Sequence, residues 1–118
     1  MHHARKLLNT VKRPSPELLN ELVRRIVDAV HPLRIILFGS AARGDMGPHS
    51  DLDVLVVLRA GTQTTHAENE IYRRMWGFGF AKDIIVVTED DVRRHASNPY
   101  LVIHTALTQG KDLYHAVG

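Results

Sequence analysis

A chain of 118 residues with 44% hydrophobic and 24% charged side chains has the composition of one globular domain, expected to span 1–118. It contains no cysteine, which excludes thiol chemistry, disulfides and cysteine-ligated metal sites and fits a reducing compartment, the cytoplasm by default. The formal charge of +2 comes without a dense basic patch interleaved with aromatics, so no direct nucleic-acid binding is expected; no signal peptide is visible and no apolar run approaches the ~20 residues of a membrane span.

In chain order, "SPELLNELVRRIVDAV" has helical apolar spacing from Leu18 to Val30, with Ser15 as N-cap, Pro16 at the first helical position and Pro32 beyond its end. "LRIILF" (33–38) is a short strand, apolar on both faces, ended by the Gly39-Ser40 turn. The segment "GSAARGDMGPHS" has room only for a short helix before the second strand, "DLDVLVVL" (51–58). Thr65 and Glu68 have capping-box spacing for a helix through about Trp76, which "GFG" breaks. "AKDIIVV" (81–87) is a third strand, and Thr88 followed by Glu89, Asp90 and Asp91 is an acidic helix start. Asn98-Pro99 caps a last helix ending at Gly110, before an edge strand in "KDLY". The fold class is α/β (α+β), a small mixed β-sheet flanked by helices.

Residues two apart in a strand share a face, so Asp51 and Asp53 project together with Cα atoms about 6.5 Å apart, while Leu52, Val54, Val56 and Leu58 take the core face. Side-by-side carboxylates repel and, partly buried, have raised pKa values. A hard divalent cation relieves this, and Mg²⁺ completes its shell from water and substrate phosphates. Gly39 and Ser40, at a strand-to-helix turn, offer backbone N–H groups and a hydroxyl to such phosphates. Asp83, at the start of the third strand, can serve as a third metal ligand or as the base for an attacking hydroxyl, in a two-metal arrangement for in-line displacement. The eight histidines show no metal-ligand spacing, and Asp45 and His49 read as loop residues.

"GSAARG" with "SDLDVLVV" and "KDIIVV" resembles the nucleotidyltransferase superfamily with the DNA polymerase β-type palm, and within it the minimal nucleotidyltransferase (MNT) proteins. The resemblance covers about 16–114. It implies a polymerase β palm-like fold and Mg²⁺-dependent transfer of a nucleoside monophosphate: Asp51, Asp53 and Asp83 catalytic and metal-binding (two Mg²⁺), Gly39 and Ser40 on the triphosphate, Arg43 on phosphate or partner. Minimal members are commonly paired with an all-helical HEPN ribonuclease toxin. The resemblance therefore implies an antitoxin that uses ATP to adenylylate a hydroxyl, a tyrosine in some such pairs, on its HEPN partner, in a homo- or hetero-oligomer.

Two other readings stand beside it: an antitoxin acting by occlusion alone, and a small-molecule (aminoglycoside-type) nucleotidyltransferase, disfavoured because no acceptor domain is present. "MWGFGF" (75–80) is read as a helix end packed on the sheet, or as an apolar patch for a partner helix.

Overall fold

The computed structural model describes residues 12–98 and 101–117. Helix α1 (Pro16–Val30) starts where Ser15 Oγ accepts from the Leu18 N–H at 3.1 Å, with proline at its first position. Its amphipathic spacing buries Leu22 and Ile26 completely, and each is worth roughly 1.5–3 kcal/mol of burial. Strand β1 (Arg34–Phe38) follows, then the five-residue helix α2 (Gly39–Arg43) and strand β2 (Leu52–Leu58). Helix α3 (Thr64–Arg74) leads to β3 (Lys82–Thr88), α4 (Glu89–His95), α5 (Val102–Gln109) and β4 (Lys111–His115).

The four strands form one mixed sheet in the order β3-β2-β1-β4. β1 is antiparallel to both β2 and β4, and β2 is parallel to β3. A parallel neighbour cannot be reached by a tight turn, so α3 is the crossover that returns the chain to the end where β2 begins. β4 is an edge strand, as expected, and carries a bulge opposite Ile35 and Ile36.

Both sheet faces are covered, which sets the environment of the aspartates. One face, with Ile35, Leu37, Val54, Val56, Ile84 and Val86, packs under α1 and α3. The other, with Ile36, Leu55, Val57 and Val87, packs against Ile103 and Ala106 of α5. Asp53 alternates onto this second face, beyond the reach of its apolar cover.

Three local expectations are corrected. Thr65 and Glu68 form no capping box: the N-cap of α3 is Gln63, two residues earlier, without a side-chain cap. The helix ends at Arg74, before Trp76. β2 begins at Leu52, leaving Asp51 immediately before the strand. The acidic start at Thr88 does form a capping box, with Asp91 as the reciprocating carboxylate. Of the Asn98-Pro99 cap, Pro99 lies outside the described residues, and Leu101 occupies the N-cap of α5.

Candidate active site

Strand register builds the site. The antiparallel β1–β2 pairing sets Phe38 opposite Asp53, and the parallel β2–β3 pairing sets Asp53 beside Asp83. The end of β1, with Gly39 and Ser40 following it, therefore shares one edge of the sheet with the starts of β2 and β3. In-register residues on parallel neighbours share a face with backbones about 4.8 Å apart, so the Asp53 and Asp83 carboxylates lie side by side. Asp51 stays next to them because the Leu52 N–H donates to the Ala81 carbonyl at 3.0 Å, extending the β2–β3 contact past the strand start.

Asp53 is half-buried, whereas Asp51 and Asp83 are exposed. Burial pushes the Asp53 carboxyl above the ordinary carboxylate range, the charges of Asp83 and then Asp51 add to this, and Arg43 opposes it. Asp53 thus feels the charges of Asp83, Asp51 and Arg43 together. In linkage terms, Asp53 binds its proton more tightly in the folded than in the unfolded chain. Stability of the metal-free protein is therefore expected to fall as pH rises from about 4, the unfolded carboxylate value, through the raised folded value, and to level off above it. Thermal midpoints in chelator-containing buffers check this against Asp53→Asn, where the difference between the two proteins should grow across that window.

The turn after β1 is fitted to Asp53. Gly39 has φ 70°, a conformation costly for residues with a side chain, and a Cβ placed there would overlap the Asp53 carboxylate oxygen Oδ2. The backbone of the turn thus lies directly against the carboxylate. At the other end of α2, Gly44 (φ 81°) and Asp45 both donate backbone N–H groups to the Ser40 carbonyl at 3.0 Å. Arg43 pairs with Asp45 at 3.2 Å, which gives Asp45 a local role beside the site.

Arg13 lies across Gly44 and donates to the Ala42 carbonyl at 3.4 Å. No sequence signal singled it out, since a contact across 29 positions has no local pattern. His49 is exposed.

Among the described residues, no three His, Asp or Glu side chains form a ready-made metal cage. The carboxylates nevertheless suit Mg²⁺, which takes one or two protein carboxylates and draws its other ligands from water and phosphate. The raised affinity of Asp53 for a proton reflects a deficit of positive charge that a cation bound by Asp51, Asp53 and Asp83 would correct.

Residues 17–112 match the nucleotidyltransferase domain, over more than half of the sequence. The chain belongs to the nucleotidyltransferase domain family. The matched nucleotidyltransferase segment contains all six candidate residues, Gly39, Ser40, Arg43, Asp51, Asp53 and Asp83.

The bifunctional uridylyltransferase/uridylyl-removing enzyme of Bordetella pertussis is 29% identical over 86% of this chain, which spans 13% of that relative's length. A toxin–antitoxin structure with AMP-PNP is 25% identical, with a TM-score of 0.59 over 83% of this chain and 73% of the other. A tri-AMPylated HEPN toxin of Shewanella oneidensis in complex with its MNT antitoxin supplies a further match, at 22% identity and a TM-score of 0.52, over 85% of this chain and 71% of the other. These confirm the nucleotidyltransferase fold. No helix among the described residues is long and apolar enough to cross a membrane.

Proposed function

We propose that this nucleotidyltransferase is a cytoplasmic MNT antitoxin that transfers AMP from ATP to a hydroxyl, of tyrosine in particular, on a HEPN-family toxin. The observation that carries the reading is Asp53, packed against the Gly39 backbone and held beside Asp83 and Asp51 at the open end of the sheet. The toxin–antitoxin neighbours with AMP-PNP and with an AMPylated HEPN toxin support this choice of nucleotide and acceptor.

Gly39 and Ser40 hold the triphosphate through backbone N–H groups and the Ser40 hydroxyl, since the first N–H groups of α2 have no intrahelical acceptor. Arg43, on the exposed side of α2, adds charge to the same phosphates. Asp51, Asp53 and Asp83 would hold Mg²⁺, which would supply positive charge to offset that of the phosphates. Asp83, exposed at the start of β3, takes the proton of the incoming hydroxyl as its oxygen bonds to the α-phosphorus and pyrophosphate departs.

Intact mass spectrometry of the HEPN-fold protein encoded beside this chain, incubated with it, ATP and Mg²⁺, is the direct test. An AMP-sized increment that disappears with Asp53→Asn is expected. A stable complex with no increment would replace catalysis by occlusion.

A further inference from the structure

Trp76 is the chain's one tryptophan and is 90% exposed, although a residue of its size ordinarily buries much of its surface. It sits at the corner of a tight turn, where the Phe78 N–H donates to the Met75 carbonyl at 2.9 Å and Gly77 takes φ 75°, the conformation that favours glycine at the third position of such a turn.

The corner is pinned from below. Arg25 of α1 donates to the Trp76 carbonyl at 2.8 Å and to the Arg74 carbonyl at 3.1 Å, closing the end of α3. Phe78 packs onto the core with the Arg25 guanidinium 5.5 Å and the Lys82 ammonium 5.7 Å from its ring centre. Tyr72, one turn earlier on α3 and 51% exposed, extends the aromatic surface. The ring of Trp76 is thus displayed on a fixed support, and little backbone ordering remains to be lost on binding.

Topology places this corner at the working end of the sheet. The crossover α3 returns the chain to the starts of β2 and β3, and Trp76 precedes Asp83 by seven positions. Resting on the nucleotidyltransferase reading above, we infer that Trp76 and Tyr72 are the docking anchor that seats the protein acceptor beside Asp83.

Charge defines the matching surface. Arg73 is paired with Glu70, and Arg25 and Arg24 with Glu21, leaving Arg74 and Lys82 without an ion-pair partner among the described residues. The occupant is therefore a folded protein offering an apolar pocket for the indole, with one or two carboxylates at its rim. A nucleic acid would call for a denser field of uncompensated cations.

The experiment uses the full chain and the HEPN-fold protein encoded beside it. Trp76→Ala is expected to raise the dissociation constant about 30-fold or more, as loss of an interface anchor does. It should raise KM for the acceptor with kcat retained at saturation and leave ATP binding by the free chain unchanged, while Trp76→Phe restores much of the affinity.

Unchanged affinity and KM in Trp76→Ala would overturn the anchor and leave AMP transfer standing. Lost binding, in a pair whose wild type forms a complex without transferring AMP, would keep the anchor and overturn the catalytic reading. No complex with the wild type would overturn both. Single-stranded RNA that binds the wild type and not Trp76→Ala would replace the protein partner by nucleic acid.

Discussion

Gly39→Ala is expected to cost about 2 kcal/mol of stability, because an L-residue at φ 70° carries of order 1–3 kcal/mol of backbone strain. For a chain of this size that is roughly an 8–12 °C fall in thermal midpoint. The added methyl also overlaps Asp53 Oδ2, so the carboxylate must turn away from the turn that cradles it. A misplacement of order 1 Å at reacting groups costs about 10²-fold in rate, and nucleotide transfer by the folded variant should drop by at least that factor. Urea denaturation and steady-state transfer assays read the two effects separately.

A double-mutant cycle identifies the cause. In an Asp53→Ala background the steric conflict is gone, so Gly39→Ala should be clearly less destabilising there than in the wild type. Strict additivity would mean that Gly39 matters only for its own backbone angle and that the carboxylate does not rest on it.

Asp53→Asn separates fold from chemistry in the opposite direction. The amide keeps the shape of the side chain and removes a charge that burial, Asp83 and Asp51 all disfavour. The ligand-free variant should therefore be at least as stable as the wild type at neutral pH. Metal-assisted stabilisation of a transferring phosphoryl group is worth several kcal/mol, and each ~1.4 kcal/mol is tenfold in rate, so transfer should fall by about 10³-fold or more.

Mg²⁺ with a non-hydrolysable ATP analogue should raise the melting temperature of the wild type and have little effect on Asp53→Asn. This readout is independent of turnover. Equal Mg²⁺-dependent stabilisation of both proteins would remove Asp53 from the proposed metal site.

Much of the fold was legible in the sequence. Helix α1 carried its own start signal in Ser15-Pro16 and a regular apolar spacing, and both operate in the structure. Strands β1, β2 and β3 were β-branched runs bounded by Gly, Pro and Asp, and their ends agree with the structure to one residue. Thr88 was legible as a cap because capping is local, acting over three residues. Thr65 misled for a related reason: its spacing to Glu68 permits a capping box, yet the chain entering from β2 starts the helix two residues earlier, with Gln63 at the N-cap.

The residue types of the candidate site were read from the same segments. An aspartate amid valines and leucines is unusual, and Asp53 is half-buried, with its carboxyl pushed upward by burial and by the charges of Asp83 and Asp51. The family followed from the combination of "GSAARG", "SDLDVLVV" and "KDIIVV", and residues 17–112 match it.

Adjacency was decided only in three dimensions. Whether Asp83 stands beside Asp53 depends on β3 lying parallel to β2 in one particular register, which hydrogen bonds between distant segments fix. The same holds for the Arg13 contact at the Ala42 carbonyl, the Arg25 support under Trp76 and the close approach of Gly39 to Asp53. Local patterning determined which groups this chain possesses and which segments carry them. Long-range packing decided which of those groups meet, because contact energies between residues far apart in sequence leave no periodic trace along it.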